Sequence, residues 1–330
     1  MAVPQEHLSG QRVERLEAIA TDGQPVSVSV VHVSSGRPGP TLAVFAAMHG
    51  TEYASVAALG RLVQTLEPER VSGTLRLVPV ANPLAFETRT MYVSPADGKN
   101  LNRTFPGRPD GTYTEVLADL LWNRVARDAD CVIDVHGGEV VEGLFPFAGA
   151  YASARWPEVG ERSQRVAEAF HPPYLVLNQL PESVARTGQR LSLLATDSGI
   201  ASVLVEAGSR GQLDEFDIGF IYEGLLNAMR VLKMLAEPEQ PAASAPSIVR
   251  EVPVLASQTG LFHSLVAPGD TVVPGQDLGS ILDYQGAAVE RFTSEWNGVV
   301  LGVIGPAITP GQMPLVIGVN ADGWAPHQPL

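Results

Sequence analysis

Residues 41–52 read TLAVFAAMHGTE: an apolar run from Thr41 to Met48, then His49, Gly50, Thr51 and Glu52. So continuous an apolar run predicts a strand buried on both faces. An imidazole and a carboxylate three positions apart follow where that strand should end. If a helix begins soon after, the two side chains converge on one point. Histidine nitrogen and carboxylate oxygen are suitable ligands for zinc. The pair alone is also open to a plainer reading, a satisfied histidine beside an exposed acid.

Three more apolar runs read as strands of the same sheet: TLRLVPVAN (74–82), CVIDVH (131–136) and SVLVEAG (202–208). VSVSVVHV (26–33) alternates, as a half-exposed strand near a sheet edge does. Between the runs lie helical patterns. In YTEVLADLLWNRVARDAD, Val116, Leu117, Leu120, Leu121 and Val125 recur at helical spacing. GFIYEGLLNAMRVLKMLAEP repeats this with Phe220, Ile221, Leu225, Met229 and Leu232. Strands interleaved with helices predict an α/β fold, with helices on both faces of a mostly parallel sheet.

The pattern stops near residue 236. EPEQPAASAPS, rich in proline, alanine and serine, reads as a linker. Beyond it, short strands broken by APGD, VPGQ, YQG, WNG and TPGQ predict a small all-β unit. The expected layout is an α/β domain over 1–236, a linker over 237–248 and a β domain over 249–330.

Composition narrows the function. Of 330 residues, 45% are hydrophobic, enough for a sizeable core, and the formal net charge is -14. That charge argues against nucleic acid and against an anionic membrane surface as the main partner. No stretch approaches the ~18–20 apolar residues that span a bilayer. The polar start, MAVPQEHLSGQRVERLEA, lacks the apolar core of a signal peptide. The single cysteine, Cys131, sits in CVIDV as a small buried hydrophobe. A soluble, cytoplasmic protein is expected.

CVIDVHGG brings a second strand into a histidine, His136, followed by glycines that permit a tight turn. In an open α/β sheet, ligands gather beyond the carboxyl ends of strands. His49, Glu52 and His136 would make a two-histidine, one-glutamate set with room for a water, the pattern of a catalytic rather than a structural zinc. A thiolate site is excluded by the cysteine count. For His136 the plain alternative is a core histidine bonded to backbone.

NPLAFETRT and GKNLNRTFPG supply the remaining pieces. HGTE, NLNRTFPG, DVHGG and VEAG follow in the order seen in the succinylglutamate desuccinylase and aspartoacylase branch of the zinc carboxypeptidase superfamily, and the chain resembles that family over residues 49 to 210. The glycine before NLNR and the FPG after it look more like the bacterial N-acetyl-diaminobutyrate deacetylase type than like aspartoacylase proper.

The resemblance implies a three-layer α/β sandwich with a mostly parallel or mixed sheet, plus a small barrel-sandwich-like β domain. It implies one zinc per chain, held by His49, Glu52 and His136. Asn102 and Arg103 would grip a substrate carboxylate, for which a planar guanidinium fork is suited. Arg89 would stabilise the oxyanion, and Glu206 in VLVEAG would be the general acid/base. Two departures stand out: the segment TMYVSPADGK before NLNR is longer than the related pattern, and Asn100 stands where many relatives carry Asp.

Plainer roles exist for these residues too. Arg103 could pair with Asp97 or Asp110, and Glu206 with Arg210. Phe145 and Phe147 could wall a pocket or fill the core. Arg186 and Arg210 could serve a second anionic group on the substrate. His7, His32, His171, His263 and His327 read as surface or structural.

The expected reaction is zinc-dependent hydrolysis of the amide in a small N-acyl amino acid or analogue. The alternatives are a carboxypeptidase of short peptides and an inactive carboxylate-binding protein of the same fold. The expected partner is a small carboxylate-bearing substrate, and a homo-oligomer stays open. GLFHSLVAPGDTVVPGQDLGSIL also resembles the strands of biotinyl and lipoyl carrier domains, but the last lysine is Lys233, so the β unit has no residue to carry such a cofactor.

Overall fold

The computed structural model describes residues 10–181 and 188–320. In chain order the first half runs β1 (Gln11–Ile19), β2 (Pro25–Val33), β3 (Arg37–Ala46), α1 (Tyr53–Thr65), β4 (Ser72–Val78), α2 (Pro83–Thr88), α3 (Tyr113–Leu121) and β5 (Cys131–His136). Then come β6 (Glu142–Leu144), β7 (Phe147–Ala152), α4 (Pro157–Glu168), β8 (Tyr174–Gln179), α5 (Leu191–Asp197), β9 (Ala201–Glu206) and α6 (Glu215–Val231). The last stretch is all strand: β10 (Ser247–Val254), β11 (Gly260–Ser264), β12 (Thr271–Val272), β13 (Asp277–Leu282), β14 (Ala288–Thr293), β15 (Gly298–Ile304), β16 (Ala307–Ile308) and β17 (Leu315–Asn320).

The apolar runs become the centre of the large sheet. β4, β3, β5 and β9 lie side by side and parallel, and every residue of β5 is buried. Outside them the sheet turns mixed: β2 and β1 add antiparallel at one side, β7 antiparallel to β9 at the other, and β8 parallel to β7. The alternating stretch at 26–33 is β2, next to the edge rather than on it, because β1 pairs along its whole length.

Two apolar layers sandwich this sheet. One face is covered by α1, α4 and α6, through Leu59, Leu62, Val166, Ile221 and Leu225. The other is covered by α3 and α5, through Leu117, Leu121, Leu191 and Ala195. The helix expected from YTEVLADLLWNRVARDAD is α3, continued through Trp122–Ala126 by a wider π-type turn. Three layers result, as helix–sheet–helix patterning requires.

The C-terminal strands do not stand apart from this sheet. Ser247, Ile248 and Val249 of β10 pair in parallel with Tyr174, Leu175 and Val176 of β8. β17, β15 and β12 then extend the sheet, and β6 from the first half pairs back onto β15. A separate four-stranded sheet in the order β14-β13-β11-β16 packs over this extension, with Phe262, Ile281 and Phe292 against Val300, Leu315 and Ile317. That is the small all-β unit anticipated from the turn spacing, seated on the end of the main sheet. β10 opens at Ser247, inside the segment expected to be linker. Among the described residues no helix is long and apolar enough to cross a membrane.

Candidate active site

The chain leaves β3 through Ala47, turns at His49 and Gly50, and enters α1 with Glu52 as its N-cap. Only glycine fits at position 50: a Cβ there would lie 2.3 Å from the Thr90 carbonyl oxygen and 2.4 Å from that of Ala85. The HG of HGTE is therefore a packing requirement that brings the turn against α2 and the residues after it. Gly137 plays the same part after β5, where a Cβ would lie 2.7 Å from the Ala207 carbonyl oxygen. The ends of β5 and β9 thus close together, with His136 and Glu206 directly opposite in register.

His49, Glu52 and His136 converge as their spacing predicted. Their ligand atoms lie within 4.8 Å of one another, and they form a potential metal-binding triad. His49 Nδ1 is 2.7 Å, and His136 Nδ1 2.9 Å, from the same Glu52 oxygen, Oε1. The outer nitrogens are held too. His49 Nε2 is 3.2 Å from Asn100 Oδ1, and His136 Nε2 is 3.1 Å from Asp134 Oδ2. Asn100 Oδ1 accepts, so His49 carries its proton on Nε2 and presents Nδ1 inward, while His136 Nε2 lies between the Asp134 carboxylate and the Asn102 amide with Nδ1 likewise inward.

Burial alone would raise the Glu52 carboxyl, but the adjacent His136 and His49 outweigh it and hold the group at about 2. Burial would lower both histidines, yet Asp134 and Glu52 raise His136 well above its ordinary value, and Glu52 raises His49. The pocket thus stabilises positive charge on its inward nitrogens. A divalent cation would supply that charge in place of the protons, and two nitrogens with one oxygen suit zinc. The donor set fits the metal that the motifs imply.

These residues line a cavity of about 150 Å³, together with Tyr92, Asn102, Arg103, Glu142, Arg190, Glu206 and Glu251. Glu206 faces it half-buried; burial is the main cause that pushes its carboxyl up to about 8, with Glu52, Glu142 and Glu251 adding to the shift and His136 opposing it. No ion pair joins it to Arg210 among the described residues. Glu139, just behind, is pushed to about 7 by burial and by Glu52.

Asn102 is buried and its amide is already engaged. Oδ1 accepts the Leu191 backbone N–H at 2.8 Å. Nδ2 lies 3.4 Å from Asp134 Oδ2 and 2.9 Å from His136 Nε2. Arg103, whose Nη1 donates to the Asn102 carbonyl, reaches the rim of the cavity. Asp97 is not its partner: its carboxylate accepts from Thr112 Oγ1 at 2.6 Å and from the Thr114 backbone N–H at 3.0 Å.

Arg89 is a different case. It caps the C-terminus of α2 with left-handed backbone (φ 54), exposed, and does not line the cavity. The left-handed turn that ends α2 carries the arginine away from the position expected for it, while Tyr92, a few residues on, faces inward.

The second arginine of the cavity is Arg190, which precedes α5 and hydrogen-bonds Tyr151 of β7. Nothing in its sequence neighbourhood, GQRLS, marked it; the only signal was a basic residue just before a helix. Burial lowers it, but Tyr151 and Glu251 outweigh this and raise it. Of the other residues weighed, Phe147 lines the cavity while Phe145 packs edge-on against Tyr174. Arg210 is outside the lining, and Arg186, His7 and His327 lie outside the described residues. The C-terminal strands contribute Glu251, Leu301, Ile304, Met313 and Val316, so they wall one side.

The chain is similar to known proteins over most of its length. A family profile described as the succinylglutamate desuccinylase/aspartoacylase catalytic domain matches residues 38–232. The N-alpha-acetyl-L-2,4-diaminobutyric acid deacetylase of Halomonas elongata is 31% identical over 282 residues, covering 83% of this chain and 80% of its own. A crystal structure of a succinylglutamate desuccinylase/aspartoacylase from Rhodobacter sphaeroides superposes with a TM-score of 0.82 at 26% identity, covering 94% of this chain and 95% of the other. The product-bound ectoine utilization protein EutE (DoeB) of Ruegeria pomeroyi gives 0.81 at 27% identity, over 96% and 97%. With its profile, its fold and its strand-end motifs in agreement, the chain belongs to the succinylglutamate desuccinylase/aspartoacylase family.

Proposed function

We propose that the protein is a zinc-dependent deacylase that hydrolyses the amide bond of a small N-acyl amino acid. One observation carries the reading: His49, Glu52 and His136 meet at one end of a cavity that also holds Glu206 and two arginines. The name of the Halomonas relative, a deacetylase of an N-acetylated amino acid, supports it.

Zinc held by His49, Glu52 and His136 would supply Lewis acidity, activating water and polarising the acyl carbonyl. Asn100 and Asp134 hold the two imidazoles with Nδ1 inward. Glu206 takes the proton of the attacking water, and the same carboxyl returns it to the departing amine. A carboxyl poised near neutrality suits both directions of transfer. Arg103 and Arg190 receive the substrate carboxylate, which fixes the scissile amide toward the metal end. Asn102 serves this arrangement from behind, through Asp134, His136 and Leu191. Arg89 takes no part. The C-terminal strands exclude water from one side and limit the substrate to a small molecule.

Metal content of the purified protein, measured beside turnover of a panel of N-acyl amino acids, tests the reading. Wild type should hold about one zinc per chain, as a three-ligand catalytic site does; His136→Ala should lose the metal and the amine-releasing activity together. Folded wild-type protein that takes up no zinc, and releases no amine when zinc is supplied, would leave a carboxylate-binding protein as the better account.

A further inference from the structure

The main sheet ends at β1, and among the described residues no strand lies along its outer flank. The strand is nine residues long, contains no proline, and pairs with β2 from Gln11–Val33 to Ile19–Pro25 without a bulge. A long, regular edge of this kind presents a row of N–H and C=O groups that another strand can take. Its side chains divide by face. Leu16 is buried and Ala18 half-buried against the core, whereas Val13, Arg15, Glu17 and Ile19 stand exposed on the other face. Val13 and Ile19 are apolar, yet 41% and 65% exposed. Between them Arg15 and Glu17 pair with each other, Nε to Oε1 at 2.8 Å.

That exposed row runs apolar, positive, negative, apolar, and is complementary to its own reverse. Opposite residues of an antiparallel ladder share a face, so β1 paired with itself about a twofold axis has one residue on that axis. An axis at Glu14, Arg15 or Glu17 sets like charges face to face. One at Val13 leaves Leu16 to Ile19 outside the ladder, and axes nearer either end pair still less. With Leu16 on the axis, Val13 meets Ile19 of the second copy and Arg15 meets its Glu17, each contact occurring twice. On the core side Glu14 meets Ala18 and keeps its bonds to Arg12 and His32.

We propose that a second copy of this chain covers the edge, β1 pairing with β1 about a twofold axis at Leu16 and joining the two main sheets. The interface is isologous, with one patch serving both copies. Its charges select the partner and refuse the shifted registers. The strands β2 and β4 separate it from β3 and β5, whose ends carry the metal triad, so the cavity stays open.

Sedimentation velocity of the full chain over a range of concentrations tests this. Wild type should associate to a dimer. Arg15→Glu sets two glutamates against each other, and Glu17→Arg sets two arginines. Each variant alone should raise the dimer dissociation constant by about tenfold or more, because two like-charge pairs replace two attractive ones. An equimolar mixture of the two variants should dimerise again, since every cross-strand pair is then once more arginine with glutamate. Both side chains are about two-thirds exposed (67% and 66%), so the variants should fold, which circular dichroism checks. Hydrogen exchange in wild type gives a reading that needs no variant: β1 amides should exchange more slowly as concentration rises through the dissociation constant. A wild-type chain that stays monomeric at every concentration would overturn the proposal. So would a dimer indifferent to both substitutions, a mixture that does not restore association, or β1 exchange that ignores concentration.

Discussion

The two ends of the cavity are built on different principles. At the metal end, strand ends of one parallel sheet deliver His49, His136 and Glu206, and Asn100, Asp134 and Asn102 hold the imidazoles from behind. At the other end, Arg103, Arg190 and Glu251 come from three segments far apart in sequence, with Arg103 bonded to the Asn102 carbonyl and Arg190 to Tyr151. The first end is fixed before any ligand arrives, which is what transition-state stabilisation requires. The second is assembled from side chains of distant segments. Reaction type should therefore be robust to changes in the far half, and substrate choice sensitive to them.

Four substitutions probe that contrast. Glu206→Gln should have the largest effect, lowering kcat by roughly 10²–10⁴, the usual contribution of a positioned acid/base, while zinc content is kept. Loss of zinc in that variant would make Glu206 part of the metal site and blur the division. Asp134→Ala and Asn102→Ala should come next. Both leave His136 without its support, and zinc affinity measured by chelator competition should fall by roughly 10–100-fold. If Asn102→Ala instead raises KM with zinc affinity intact, its amide belongs to the substrate end. Arg190→Met should be mildest, raising KM by about tenfold with the metal retained, the cost of one charge-assisted contact. An unchanged KM would remove Arg190 from the carboxylate grip and leave Arg103 alone there.

The same contrast governs what could be read from sequence. The metal end was legible because its signals are local: an apolar strand running into HGTE, another into DVHGG, a third into VEAG. Each motif is short enough that strand geometry and one turn determine where its side chains go. Asn102 and Arg103 were found in NLNR, but they part company in space. Asn102 turns inward to the histidine support, and only the bonds from Leu191 and to Asp134 reveal it. Arg89 stands on the left-handed cap of α2, outside the cavity lining, and that cap is a backbone choice that no neighbouring residue announces. Arg190, Tyr151 and Glu251 carried no motif at all. Their meeting depends on how β7, α5 and β10 are ordered across the sheet, which is long-range information. The layers were legible from periodicity; the pairing of β8 with β10 was not, because a proline-rich segment followed by short strands reads the same whether or not those strands rejoin the sheet.

That pairing bears on how the protein could be shortened. A chain ending near Ala236 would keep the whole profile-matched segment and the motifs at the metal end. It would also strip one flank of β8, leaving Tyr174, Leu175 and Val176 with unsatisfied backbone groups along a buried edge. Raw edges of this kind recruit other strands, so such a fragment is expected to self-associate rather than stay dispersed. The C-terminal strands act as the sheet's terminator as well as the cavity's wall, and a truncation meant to isolate the chemistry would first meet a solubility problem.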